Sequence, residues 1–238
     1  MKLSLLVINY NSYRIVLRFF IPVLSIVITP QIAYAKCEKS FIYGIKNSCE
    51  VIQNTLWRGS KPDMASAAQL LEKNVKTVIN LELLHDDKGT FTAARPNLNT
   101  EYALNYYTLP DWEPSVVNSK KSIDRRVEDF IAITRTAPLP IFVHCRSGQN
   151  RTGMMVAALH IFNGMPIEQA IDDMLSYGGL WSYQNTEYLR TLTPKKRAKM
   201  EKNIVLNMRD MQPNSILSCS RIGCFESEAS YARVLNNH

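Results

Sequence analysis

Cys145 and Arg151 stand six positions apart in the run Leu139-Pro140-Ile141-Phe142-Val143-His144-Cys145-Arg146-Ser147-Gly148-Gln149-Asn150-Arg151-Thr152-Gly153. A cysteine sulfur is a strong nucleophile as its thiolate, and a planar guanidinium matches two phosphate oxygens at once. The apolar stretch 141–144 reads as a buried strand, and the apolar stretch 154–162 as a buried helix. The polar, glycine-containing link between them must turn sharply, which leaves its backbone N–H groups free to face an anion. The first amides of a helix have no intrahelical partner and carry about half a positive charge, so the same end favours both a phosphate and a thiolate. These residues describe a phosphate trap with a sulfur nucleophile at its base.

The decapeptide from His144 to Gly153 resembles the signature of the cysteine-dependent protein tyrosine and dual-specificity phosphatases, of the bacterial dual-specificity kind. The resemblance covers the histidine before the cysteine, the mid-loop glycine, the arginine and the following threonine. It implies that Cys145 attacks phosphorus, and that Arg151 and the loop residues Arg146, Ser147, Gly148, Gln149 and Asn150 hold the phosphate. It further implies that Thr152 assists the sulfur as a leaving group and that His144 orders the loop. No cofactor and no metal enters this chemistry.

Departure of an ester oxygen needs a proton, so a thiolate alone is an incomplete site. Asp111, in Leu109-Pro110-Asp111-Trp112-Glu113-Pro114, ends a predicted strand 34 residues before Cys145, on a loop stiffened by two prolines. The resembling family carries its general acid on the corresponding loop, which makes Asp111 the candidate and Glu113 the reserve. Trp57-Arg58-Gly59-Ser60-Lys61-Pro62 resembles a segment near the start of such domains whose arginine packs near the site's base. Gln184 lacks the surrounding motif of a water-positioning glutamine and is given no role.

The elements that must position these groups alternate between strand and helix. Residues 56–58 read as a short strand, Asp63 as the N-cap of a helix through Lys73, and residues 75–83 as a central strand. The polar stretch 85–100 reads as a loop, 102–109 as a strand and 122–134 as a helix. After the signature helix, Gly164 and Pro166 separate it from a helix running to about Tyr177, and Thr193-Pro194 opens another. This last helix carries Met200, Ile204, Met208 and Met211 on one side and Lys195, Lys196, Arg197, Lys199 and Lys202 near its start. The pattern predicts an α/β fold, a mostly parallel central sheet flanked by helices, with the catalytic loop beyond a strand's carboxyl end.

The chain has 238 residues and is 46% hydrophobic, enough for one sizeable core. Residues 1–35 contain no acid, three cations, an apolar run over 19–28 and then Ala33-Tyr34-Ala35, so they read as a signal peptide cleaved after Ala35. The expected location is therefore exported, periplasmic or secreted, with an uncleaved membrane anchor as the alternative. The apolar run is shorter than the roughly 20 residues of a stable span. Cleavage leaves 25 of the 28 basic residues against 21 acidic ones, so the net charge falls from +7 to +4. That bias suits anionic substrates, and no nucleic-acid recognition motif accompanies it.

The expected organisation is a signal peptide over 1–35, an N-terminal extension over 36–53, a phosphatase domain over 54–212 and an irregular tail over 213–238. Besides Cys145, the four cysteines Cys37, Cys49, Cys219 and Cys224 lie at the two ends of the mature chain. In an oxidising compartment they could form two disulfides, in any of three connectivities, while neither pair has a nearby histidine to suggest a metal site. The expected substrates are phosphate monoesters, phosphotyrosine first, with phosphoserine and phosphothreonine as further candidates. An inositol phosphate or phosphoinositide is the alternative, weakened by Arg146 and Gln149 where such enzymes often carry lysines. A non-catalytic phosphate-binding module is disfavoured because nucleophile, acid and arginine are all present.

Overall fold

The computed structural model describes residue 37 and residues 41–82, 85–109, 120–178 and 182–226, all within the unit Lys36–His238. The predicted leader over 1–35, the candidate acid Asp111 with Glu113, and residues 227–238 lie outside the described residues.

Among the described residues, seven strands form one mixed sheet in the order β1-β2-β5-β3-β4-β6-β7. They are β1 (Cys49–Ile52), β2 (Leu56–Ser60), β3 (Thr77–Asn80), β4 (Tyr102–Thr108), β5 (Ile141–Cys145), β6 (Ser215–Ser220) and β7 (Gly223–Glu226). The four central strands β2, β5, β3 and β4 are parallel, as the alternation of strand and helix predicted. The edges are antiparallel: β1 pairs with β2, β6 with β4 and β7 with β6. The signature strand β5 sits between β2 and β3, so both its neighbours lend residues to the loop that follows it.

The helices are α1 (Met64–Glu72), α2 (Lys88–Ala93), α3 (Lys120–Thr136), α4 (Asn150–Phe162), α5 (Ile167–Leu175), α6 (Ser182–Arg190) and α7 (Pro194–Asp210). Asp63 caps α1 as its sequence position foretold, with its carboxylate accepting from the Ser66 amide at 2.8 Å. The period-2 alternation of the strands divides the core. Trp57, Val78, Leu104, Tyr106 and Phe142 pack in one cluster with Ala67, Leu70 and Leu71 of α1 and Phe91 of α2. Arg58, Ile79 and Val143 alternate with them and are equally buried.

Four expectations need correcting. The stretch 85–100 is not all loop: α2 forms there, and Phe91 at its centre is fully buried beside Tyr106, ring centroids 6.3 Å apart. Among the described residues of the predicted strand over 75–83, only Thr77–Asn80 is strand, since Asn80 turns its side chain back on the following residues. Residues 215–226 of the expected irregular tail are a hairpin that extends the sheet, with Leu217, Cys219 and Cys224 in the core. Likewise, the expected N-terminal extension supplies β1.

Two of the cations that crowd the start of α7 also have a structural account. Lys196 Nζ lies 2.7 Å from Asp124 Oδ1 on α3, and Arg197 Nη1 donates to the Ile161 carbonyl in the last turn of α4 at 2.7 Å. They tie three helices together where the helix dipole alone would repel them.

Candidate active site

Cys145 is the last residue of β5 and only 2% exposed, and α4 begins five residues later. Four residues of the intervening turn and first helical turn are each held by a different part of the chain. The Ser147 carbonyl accepts from Asn47 Nδ2 at 2.8 Å, and the Gly148 carbonyl accepts from Arg58 Nη2 at 2.7 Å. Gln149 Nε2 donates to the Tyr177 carbonyl at 2.9 Å, and Arg151 Nη1 donates to the Leu81 carbonyl at 2.9 Å. A loop whose amides must converge on one anion is thus fixed by outward ties from its carbonyls and side chains.

Gly148 makes the turn possible. Its φ is +70°, and a Cβ there would lie 2.5 Å from the Gly59 carbonyl carbon and 2.7 Å from the Ser60 amide nitrogen. Only a residue without a side chain lets the loop settle against the end of β2. That end is itself clamped, because the Ser60 amide donates to the Lys46 carbonyl at 2.8 Å and Ser60 Oγ accepts from the Lys46 amide at 3.0 Å.

Of the remaining predicted site residues, Arg146 is exposed, Ser147, Gln149, Asn150 and Arg151 are half-buried, and Gly148 and Thr152 are buried. The Thr152 hydroxyl has no hydrogen-bond partner among the described residues, so the contact to sulfur expected of it is not formed here. His144 is fully buried and stacks on Phe142, ring centroids 5.5 Å apart. Its Nε2 lies 3.3 Å from Asp87 Oδ2, close but without hydrogen-bond alignment. Burial pushes the His144 pKa below its ordinary value, outweighing the pull of the Asp87 carboxylate, so the imidazole is held neutral.

Asp87, Asn80 and Tyr106 form a buried network beneath this histidine that the sequence reading did not single out. The Tyr106 hydroxyl donates to Asp87 Oδ1, and Asn80 Nδ2 donates to the Tyr106 oxygen at 2.9 Å and to the His85 carbonyl at 2.8 Å. Burial and the neighbouring carboxylate raise the Tyr106 pKa strongly, which keeps the phenol a donor. The network fixes the turn after β3, and with it the Leu81 carbonyl that holds Arg151. No spacing rule marks these three residues; only the topology brings them together.

Arg58, which resembled a residue at the base of related sites, lies at the base of this one. It is 1% exposed, and burial lowers its pKa. His160 is buried in α4 and also held below its usual pKa by burial. Gln184 is exposed on α6.

The family described as "DSP-PTPase phosphatase fused to NAD+ Kinase" matches residues 44–191, a span that runs from the Asn47 turn through the signature loop to the end of α6. The chain belongs to this phosphatase family. It is therefore a cysteine-dependent phosphatase. Among solved structures it is similar to P. aeruginosa TpbA, at 23% identity and a TM-score of 0.54 over 74% of this chain and 99% of TpbA. A cysteine-to-serine form of TpbA in complex with phosphotyrosine is similar over 77% of this chain and the whole of that one, at 23% identity and a TM-score of 0.52. At these identities the likeness is one of fold. The catalytic domain of the S. cerevisiae PP-IP phosphatase SIW14 is more distant, at 13% identity and a TM-score of 0.46 over 63% of this chain and 89% of that one. No curated protein matches the chain significantly.

Proposed function

We propose that this phosphatase hydrolyses phosphotyrosine in proteins, and phosphoserine or phosphothreonine more slowly, through a phosphoryl-cysteine intermediate. The observation that carries the reading is the signature loop itself, pinned outward at Ser147, Gly148, Gln149 and Arg151 around the strand end that bears Cys145. In the first step the Cys145 thiolate forms a bond to phosphorus while the ester P–O bond breaks in line. Asp111 gives its proton to the departing oxygen. In the second step Asp111, now a carboxylate, takes a proton from the water that attacks phosphorus, and the thiolate leaves. Arg151 and the loop amides stabilise the equatorial oxygens in both steps, where most of the transition-state charge lies.

Phosphotyrosine is favoured because the similarly folded TpbA has been seen in complex with it. Arg146 and Gln149, where lysines would meet additional phosphates, argue in the same direction. We further propose that the chain is exported after cleavage of residues 1–35, and that its flanking cysteines are disulfide-bonded. The pairing Cys37 with Cys49, Cα atoms 5.7 Å apart, and Cys219 with Cys224, 3.9 Å apart, supports one of the three connectivities.

A substrate panel tests the reading. The chain is expected to hydrolyse an aryl phosphate and phosphotyrosine peptides with inhibition by vanadate, and to lose turnover in Cys145→Ser while still binding an oxyanion. Asp111→Asn is expected to slow phosphotyrosine hydrolysis about a hundredfold or more, and to act far less on an ester whose leaving group needs no proton. Preference for inositol phosphates over phosphopeptides, or full activity in the serine variant, would overturn it.

A further inference from the structure

Tyr177, in the turn that ends α5, receives no role from the signature or from the catalytic steps above. Contacts from three distant parts of the chain nevertheless meet on it. Its carbonyl accepts from Gln149 Nε2 at 2.9 Å, its ring face lies 3.7 Å from the Arg58 guanidinium carbon, and its hydroxyl donates to Cys49 Sγ at 3.2 Å. The ring is 5% exposed, so the cation against it is held away from water.

Arg58 needs that face. Its Nη2 is spent on the Gly148 carbonyl, while Nε and Nη1 have no hydrogen-bond partner among the described residues. A buried guanidinium loses its hydration, and burial accordingly lowers the pKa of this one against the raising field of the Asp173 carboxylate. The tyrosine ring thus compensates the cation on the face that the Gly148 carbonyl leaves uncovered.

The Gly148 carbonyl that Arg58 grips belongs to the same peptide unit as the Gln149 N–H. In a planar trans peptide the two point in opposite directions. Pinning the carbonyl to Arg58 therefore turns the Gln149 N–H to the other side of the loop, where it makes only a long contact of 3.4 Å to Ser147 Oγ and can donate to a phosphate oxygen. We propose that Tyr177 is a positioning residue for phosphate binding: through Arg58 it sets the plane of the 148–149 peptide, and through its own carbonyl it holds the side chain of Gln149. This rests on the reading of the 145–151 loop as the phosphate site.

The full chain carrying phenylalanine at position 177, and then phenylalanines with one, two and three ring fluorines, keeps the shape of the side chain while draining the ring face of electron density. Affinity for tungstate, measured by calorimetry, is expected to fall in step with fluorination, by roughly three- to thirtyfold across the series, with kcat/KM for an aryl phosphate falling in parallel. Tyr177→Phe itself, which loses only the hydroxyl contact to Cys49, is expected to stay within about threefold of wild type. A residue that merely filled space would give a flat series at equal thermal stability, and a flat series overturns the inference while leaving the proposed function intact. A wild-type chain that neither binds tungstate nor hydrolyses the aryl phosphate would overturn both.

Discussion

Replacing Gly148 by alanine tests the geometry of the loop at its tightest point. The backbone there has φ +70°, a conformation that costs an alanine roughly 1–2 kcal/mol. The added Cβ would stand 2.5 Å from the Gly59 carbonyl carbon, 2.6 Å from its oxygen and 2.7 Å from the Ser60 amide nitrogen. These neighbours are backbone atoms of a strand buried along its whole length, so β2 cannot yield and the loop must move away. Relieving overlap of this kind typically costs a further 1–3 kcal/mol. The expected loss of stability is about 2–5 kcal/mol, which lowers the melting temperature by roughly 4–20 °C in a domain of this size. Because a misplacement of about 1 Å at a reacting centre can cost a hundredfold, kcat/KM toward an aryl phosphate is expected to fall about a hundredfold. Thermal denaturation and steady-state hydrolysis on the same preparation read both effects. Gly148→Ala with a melting temperature within about 2 °C and a kcat/KM within about twofold of wild type would refute the packing argument.

The buried network under His144 predicts that Tyr106→Phe, which deprives Asp87 of a hydroxyl donor and Asn80 of an acceptor, costs about 1–3 kcal/mol in urea unfolding; an unchanged midpoint would contradict it. His144 and His160 are both held below the ordinary imidazole pKa by burial, so each takes up a proton on unfolding. The stability they permit is fully present above about pH 6.5 and is lost as pH falls toward their lowered native values. His160→Gln should therefore show a shallower loss of stability between about pH 7 and about pH 5 than wild type, by up to one proton, and identical slopes would count against the assignment. Deleting residues 213–238 strips β6 from the edge of β4 and removes Leu217 and Cys219 from the core. The shortened chain is expected to lose its cooperative unfolding transition or to aggregate, whereas a soluble, active product would show that the hairpin is dispensable.

What the sequence revealed best was the part whose chemistry is local. The strand before the signature loop and the helix after it depend on neighbouring residues, and both lie on the apolar runs that predicted them, the helix beginning four residues earlier than its apolar run, at Asn150. Residues 88–93 escaped notice because Lys-Gly-Thr-Phe-Thr-Ala has no helical hydrophobic period and contains a glycine; its single turn and a half is fixed by the burial of Phe91. The hairpin at 215–226 was obscured in a different way. Its buried face carries Ser215 and Cys219 as well as Leu217, so the alternation of a strand is present in geometry but faint in hydropathy. Within the site, Asn47 reaches Ser147 and Arg58 reaches Gly148 across about a hundred residues or nearly so, contacts that sheet order creates and that no single-sequence spacing encodes. Tyr177 is the extreme case: an aromatic at the end of an amphipathic helix reads as ordinary core until Arg58 is seen against its face.

The central claim is that Cys145 carries the phosphoryl group between two displacements. Rapid acid quenching during turnover of an aryl phosphate, followed by mass analysis of the peptide containing Cys145, tests it most directly. A phosphoryl adduct on that cysteine is expected, formed faster than product accumulates at steady state, lost on chase with excess unlabelled substrate, and absent in Cys145→Ser. Turnover without an adduct on Cys145, or with the phosphoryl group on another residue, would contradict the account.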